Sequence, residues 1–103
     1  MLARIMSKMT RADILRIIDD HRAGLYDLGV RELALFGSYA RGEAVDASDV
    51  DILVDFHRKS FESYMAVKER LESLLQRRVD LVLQSAIKPR LKETILREAI
   101  RGA

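Results

Sequence analysis

Residues 49–56, with the sequence DVDILVDF, constrain the fold more than any other segment of this chain. Apolar side chains recur at every second position, which predicts a β-strand with one face in a hydrophobic core. The core-facing residues are Val50, Ile52 and Val54. The opposite face carries Asp49, Asp51, Leu53 and Asp55. A core strand normally excludes aspartate, because an unpaired buried charge is costly to desolvate. The acidic face is therefore either a cation-binding site or the solvated face of an edge strand.

Helices and two further strands are predicted around this segment. Apolar residues at three- and four-residue steps predict a helix from a capping box at Thr10 and Asp13 to near Gly29. A strand follows at residues 31–36, then a short helical turn from Gly37 through Arg41 and a loop over residues 42–48. The later elements are a helix capped by Ser60, a strand at residues 79–83 and a helix that begins near Pro89. This α-β-β-α-β-α order predicts an α/β fold. The predicted buried stripe of the last helix is Leu91, Ile95, Leu96, Ala99 and Ile100.

Length and composition restrict the chain to one small domain of ordinary globular type. Its 103 residues are 49% hydrophobic and 33% charged, with a net charge of +2, which indicates neither disorder nor a strong nucleic-acid-binding field. The sequence has no cysteine, which excludes disulfides and a thiol nucleophile and favours a cytoplasmic location. No apolar run approaches the ~20 residues of a membrane span. We expect a single domain at residues 10–103 and a flexible N-terminus at residues 1–9.

The pair Gly37-Ser38 directly follows a predicted strand and opens a helical turn. Glycine allows the backbone to approach a ligand closely, while turn N–H groups and the serine hydroxyl donate hydrogen bonds to phosphate oxygens. The pair predicts a phosphate-binding turn, although a Gly-Ser pair alone is more often only a turn. Arg41 is a further candidate phosphate ligand, because a guanidinium matches phosphate oxygens. A plain surface arginine, or an ion pair with Glu43, is the equally weighted alternative for Arg41.

The aspartates form a candidate metal site. Strand geometry places Asp49 and Asp51 on one face with Cα atoms ~6.5–7 Å apart. Asp80 can add a third carboxylate if its strand neighbours theirs, whereas Asp55 lies ~13 Å from Asp49 and is the less favoured third ligand. Clustered carboxylate oxygens are the ligands of Mg²⁺, with Mn²⁺ as the alternative ion.

The combined pattern, G-S-x10-D-x-D, resembles the DNA polymerase β-like nucleotidyltransferase superfamily and, within it, the minimal nucleotidyltransferases. The resemblance rests on GSYARGEAVDASDVDILVDF, VDLVL and KPRLKETILREAI and spans about residues 10–100. It implies a small mixed sheet of about three strands flanked by helices. It also implies that Gly37 and Ser38 hold NTP phosphates and that Asp49 and Asp51 bind two Mg²⁺ ions. Asp80 would hold the catalytic ion and help to activate the acceptor hydroxyl.

The resemblance further implies transfer of AMP from ATP to a hydroxyl of a partner protein. In this family the partner is often a small helical HEPN-domain toxin, and the nucleotidyltransferase is its antitoxin. A non-catalytic module that neutralises a partner by contact is the main alternative, and transfer to a small molecule such as an aminoglycoside is less favoured. We expect no direct nucleic-acid binding, because the sequence shows no platform of alternating aromatic and basic residues. Acceptor identity, base preference and homo-oligomer formation stay open.

Overall fold

The computed structural model describes residues 9–45 and 48–102 of the chain. Its helices are α1 (Arg11–Asp20), α2 (Arg22–Asp27), α3 (Gly37–Arg41), α4 (Phe61–Leu75) and α5 (Pro89–Glu98). Its strands are β1 (Val30–Phe36), β2 (Val50–Phe56), β3 (Val79–Leu83) and β4 (Ile100–Arg101), and a 3₁₀ turn spans Gln84–Ala86. Apart from Met9, the predicted flexible N-terminus lies outside the described residues.

The four strands form one mixed sheet in the order β3-β2-β1-β4. Strand β2 runs parallel to β3 and antiparallel to β1, while β4 is antiparallel to β1. The predicted mixed sheet flanked by helices is thus confirmed, and the predicted count of about three strands is one too few. The additional strand is short: Ile100 pairs with Leu35 and Arg101 pairs with Ala34.

One face of the sheet, here called the inner face, packs against α1, α2 and α4. It carries Val50, Ile52 and Val54 of β2, which are at most 1% exposed, as the alternation predicted. The helices contribute Ile14, Ile18, Leu25, Val67, Leu71 and Leu75 to the same core. Burial of each such aliphatic side chain stabilises the fold by about 1.5–3 kcal/mol. The inner face therefore supplies the main hydrophobic stabilisation.

Side-chain caps fix the helix starts that lead into this core. Thr10 and Asp13 form the predicted capping box, and the Ser60 hydroxyl accepts a hydrogen bond from Ser63 N at 3.0 Å. The predicted helix from Thr10 to Gly29 is two helices, because the backbone leaves helical geometry at His21 (φ −112°, ψ 19°). At this point the Ile17 carbonyl accepts the backbone N–H of His21 at 3.2 Å and also lies 2.9 Å from the His21 ring nitrogen Nδ1.

Helix α5 corrects the predicted buried stripe at the C-terminal end. Leu91 and Leu96 are 49% and 39% exposed, and none of the ten residues of α5, all of them described, is buried. The inner face is already covered, so α5 lies over the opposite, outer face, where Lys92 lines a cavity with Glu32 and Asp55. The helix ends at Glu98 and the chain becomes extended at Ala99, because Ile100 gains backbone hydrogen bonds at the edge of β1. Among the described residues, no helix is both long and apolar enough to cross a membrane.

Two matched substitutions test this assignment of the core. Leu71→Ala should lower the free energy of unfolding by about 2–5 kcal/mol, because Leu71 is fully buried. Leu96→Ala should change it by at most about 0.5 kcal/mol, because that side chain is exposed. Urea denaturation followed by circular dichroism measures both. Equal losses for the two variants would show that α5 is part of the folded core.

Candidate active site

The structure brings two of the candidate carboxylates together on the outer face. Asp51 and Asp80 are register partners on the parallel strands β2 and β3, so their side chains point from the same face. Adjacent strands lie about 4.8 Å apart. Asp51 is half-buried, while Asp80 is exposed; Asp49 is also exposed and lies one residue before β2 begins. The predicted neighbourhood of the two strands is therefore observed.

The electrostatics of Asp51 reflect this crowding. Partial burial raises the pKa of the Asp51 carboxyl, and the nearby carboxylates of Asp80 and Asp49 raise it further. The positive charge of Arg41 acts in the opposite direction and lowers the pKa of Asp51. In the absence of a cation, the ionised Asp51 is therefore held in an unfavourable environment.

Gly37 lies directly against Asp51. The preceding residue, Phe36, is the register partner of Asp51, and Gly37 has a left-handed backbone conformation with φ of 73°. A Cβ atom at this position would lie 2.9 Å from Asp51 Cγ and closer still to Oδ2. Both the backbone angle and the lack of space therefore require glycine.

The turn after Gly37 is anchored in the core and by hydrogen bonds. Tyr39 and Ala40 of α3 are each 4% exposed, and an Arg11 guanidinium N–H donates to Ala40 O at 2.7 Å. Ser38 O accepts a hydrogen bond from Glu43 N at 2.8 Å. Ser38 thus sits in a fixed turn beside Gly37, at the end of β1 that meets Asp51.

Arg41 ends α3 and carries two ion pairs. Its Nε lies 2.9 Å from Glu43 Oε1, and its Nη1 lies 3.2 Å from Glu98 Oε1. The pair with Glu43 is the alternative that the sequence left open for Arg41. The pair with Glu98, 57 residues away, was missed, because no local pattern links two positions so distant in sequence.

Asp55 lies apart from the Asp51–Asp80 pair. It is four residues further along β2, next to Arg31, whose Nε is 3.6 Å from Asp55 Oδ2. This placement agrees with preferring Asp80 over Asp55 as a partner of Asp51.

The residues present fit a divalent cation whose coordination is completed by oxygen atoms of the substrate. Within residues 9–45 and 48–102, no three His, Asp or Glu side chains are gathered into a closed metal cage. Proteins usually bind Mg²⁺ through one or two carboxylates plus substrate phosphates instead of such a cage. The half-buried Asp51 and its register partner Asp80 form a carboxylate pair of that kind, and Asp49 lies one residue before β2.

Comparison with known proteins places the chain in a family. The sequence profile described as "Nucleotidyltransferase domain" matches residues 15–101, which include both strands that carry the aspartates. The chain belongs to this nucleotidyltransferase family. Protein adenylyltransferase MntA of Thermococcus cleftensis is 45% identical to this nucleotidyltransferase over 97 residues, covering 92% of this chain and 98% of the relative.

Solved structures agree with that placement. A structure described as a candidate minimal nucleotidyltransferase matches with a TM-score of 0.79 and 37% identity, covering 91% of this nucleotidyltransferase and 97% of that chain. A chain from the complex of a tri-AMPylated Shewanella oneidensis HEPN toxin with an MNT antitoxin matches with a TM-score of 0.61. That match has 20% identity and covers 86% of this chain and 71% of the other, so it shows the fold alone. The predicted family, the minimal nucleotidyltransferases, and the predicted class of enzyme are confirmed.

Two glycine substitutions separate the steric role of Gly37 from its backbone conformation. Gly37 and Gly42 have φ values of 73° and 75°, but a Cβ at Gly42 would meet no atom within 4 Å. Gly42→Ala should therefore cost about 1 kcal/mol of unfolding free energy through backbone strain alone. Gly37→Ala should cost about 1–3 kcal/mol more, because its Cβ displaces the Asp51 side chain.

Urea denaturation of both variants measures the difference. Adding Asp51→Ala to Gly37→Ala should recover most of the extra loss, since it removes the obstructing carboxylate. Equal losses for the two glycine variants would contradict the close contact between Gly37 and Asp51.

The crowding of Asp51 predicts how its removal affects stability. Without divalent ions at neutral pH, Asp51→Asn should raise the free energy of unfolding by a few tenths to about 1 kcal/mol, a limit set by solvent screening. The gain should shrink as pH falls from the raised pKa towards the ordinary pKa, because the wild-type carboxyl then takes up a proton in the folded state.

Urea denaturation in EDTA, from neutral to acidic pH, tests this expectation. Asp55→Asn is the matched control and should give no gain, because Asp55 faces Arg31. A clear loss of stability in Asp51→Asn at neutral pH would show that this carboxylate has a stabilising partner.

Proposed function

We propose that this protein is a Mg²⁺-dependent protein adenylyltransferase, with Mn²⁺ as the alternative ion, that transfers AMP from ATP to a hydroxyl of a partner protein. The partner is a HEPN-type toxin, and the transfer makes this chain its antitoxin in the cytoplasm. The observation that carries the proposal is the register pairing of Asp51 with Asp80, directly against Gly37. This arrangement combines cation ligands with a backbone surface that a phosphate can approach closely.

The aspartates have distinct tasks in this proposal. Asp49, Asp51 and Asp80 hold two Mg²⁺ ions, and Asp80 holds the catalytic one. When bound, these ions neutralise the triphosphate and stabilise the charge that develops on the attacking and leaving oxygens. The raised pKa of Asp51 supports the assignment, since the carboxylates lie in an environment that a cation would relieve.

The remaining site residues bind and orient the triphosphate. Gly37 and Ser38 contact phosphate oxygens, and Arg41 contributes charge-assisted hydrogen bonds. The acceptor hydroxyl oxygen forms a bond to the α-phosphorus, and the bond from that phosphorus to the β-phosphate oxygen breaks. Pyrophosphate leaves, and the hydroxyl proton passes to the Asp80 carboxylate. Positioning and charge neutralisation carry most of the rate enhancement, as in other phosphoryl-transfer enzymes.

A protein acceptor is supported by the exposed apolar surface. Phe61 is 78% exposed beside a groove of about 630 Å³ that runs along the edge strand β3. The groove is also lined by Tyr64, Leu81, Val82, Leu83 and Ala86. Leu91 and Leu96 of α5 add further exposed apolar area. Such surface is typical of protein interaction sites. The relative's name, protein adenylyltransferase, and the solved complex that contains an AMPylated toxin indicate the same class of acceptor.

A binding module without turnover is the second candidate function. The observation that favours it is the same exposed helix α5, whose apolar residues lie among basic ones and could cover an acidic partner. A binding module of this kind does not explain why Asp51 lies close to other carboxylates, because inhibition by contact does not require a cluster of like charges.

Paired substitutions distinguish transfer from contact. With Mg²⁺, labelled ATP and the candidate toxin, the wild type should label the toxin, whereas Asp49→Asn with Asp51→Asn should reduce labelling by at least about 10³-fold. The double variant should also fail to neutralise the toxin. Asp55→Asn is the control and should retain labelling, because Asp55 lies outside the Asp51–Asp80 pair.

Full neutralisation by the double variant, without labelling, would favour the contact mechanism. No labelling by the folded wild type with any of the four NTPs would contradict the proposed transfer.

A further inference from the structure

Arg41 is held between two carboxylates from different parts of the chain. Its Nε donates to Glu43 Oε1 at 2.9 Å, and its Nη1 donates to Glu98 Oε1 at 3.2 Å. Glu43 follows two residues after Arg41, whereas Glu98 is the last residue of α5. The Arg41 side chain still keeps 42% of its surface exposed, so the two ion pairs do not enclose it.

The two ion pairs use only some of the N–H donors of the Arg41 guanidinium. A guanidinium has five N–H donors in a rigid planar fork. The two observed hydrogen bonds use Nε–H and one of the Nη1–H groups. The second Nη1–H and both Nη2–H groups have no hydrogen-bond acceptor among the described residues. With respect to residues 9–45 and 48–102, three donors therefore stay available for a ligand while the guanidinium is fixed.

Glu98 is itself fixed relative to the candidate site. Two residues after it, Ile100 pairs with Leu35 of β1, and Gly102 N donates to Leu33 O at 2.8 Å. Leu35 lies two residues before Gly37, on the strand that ends at the phosphate-binding turn. The short strand β4 thus ties the end of α5, and Glu98 with it, to β1, the strand that directly precedes Gly37.

The position of Arg41 is relevant to the site because Arg41 is the last residue of α3, the helix that begins at Gly37. A free arginine side chain loses rotamer entropy when it is immobilised on a ligand. Two carboxylates that already hold the guanidinium reduce that cost before the nucleotide binds.

We propose that Glu98, together with Glu43, is a positioning residue that holds the Arg41 guanidinium ready for the NTP phosphates. This inference rests on the proposed function, since it assumes a nucleotide at the site. It also assigns a role to the end of α5 that the exposed apolar residues of that helix do not explain.

Nucleotide affinity tests the proposal without the need for an acceptor. Isothermal titration calorimetry measures the affinity for the ATP analogue AMP-PNP in the presence of Mg²⁺. Glu98→Ala should lower this affinity about 3- to 10-fold. Glu98→Gln keeps an acceptor oxygen and should lose less. In an Arg41→Ala background, Glu98→Ala should cause no further loss, because Glu98 acts through Arg41. Transfer kinetics should show the change mainly in KM for ATP, with kcat nearly unchanged.

Glu93→Ala is the matched control. Glu93 lies on the same helix, is exposed and pairs only with Arg97 among the described residues, at 3.0 Å. It should bind the analogue as the wild type does. Thermal unfolding of every variant establishes that each is folded.

The outcomes separate this inference from the proposed function. Wild-type binding that Glu98→Ala leaves unchanged would overturn the positioning role alone. Losses from Glu98→Ala and Arg41→Ala that simply add would also overturn it, because Glu98 would then act independently of Arg41. A folded wild type that binds no analogue would overturn the proposed function and this inference with it.

Discussion

The arrangement of the candidate site depends on two like charges that β-sheet register forces together. Asp51 and Asp80 are partners on adjacent parallel strands, and Gly37, the residue after β1, lies against Asp51. Asp51 cannot turn to the opposite face without a shift of β2, which would expose Val50, Ile52 and Val54. The same change at Asp80 would expose Val79 and Leu81 of β3. The hydrophobic core therefore maintains an electrostatic arrangement that is unfavourable by itself. A divalent cation would make it favourable and would at the same time attract a triphosphate, and this is the physical basis of the proposed transfer.

The two faces of the sheet divide stability and function between them. The inner face carries the apolar core with α1, α2 and α4, whereas the outer face carries Asp51, Asp80 and the charged contacts of α5. Exposed charged residues on the outer face can therefore be substituted at little cost to folding, whereas Leu53 on the same face is buried. Helix α5 is attached to the stable sheet through β4, yet its apolar side chains Leu91 and Leu96 remain exposed.

Local patterns predicted β2, the capping box at Thr10 and the cap at Ser60, because each depends on residues close in sequence. The spacing of Gly37, Asp49 and Asp51 also allowed the candidate site to be recognised, although the roles of its residues stay predictions. The exposure of the apolar side chains of α5 could not be predicted in this way. Its periodicity shows that Leu91 and Leu96 share a helix face but not whether another element covers that face. Strand β4 and the Arg41–Glu98 pair both depend on contacts between distant segments, which leave no local signature.

The most direct measurement of the central claim is a crystal structure with Mn²⁺ and a non-hydrolysable ATP analogue, with the ion located by its anomalous scattering. We expect anomalous density between the carboxylates of Asp49, Asp51 and Asp80, with the analogue's phosphates against Gly37 and Ser38. Bound nucleotide with Mn²⁺ elsewhere, or with Asp80 turned away from the ion, would contradict the proposed site.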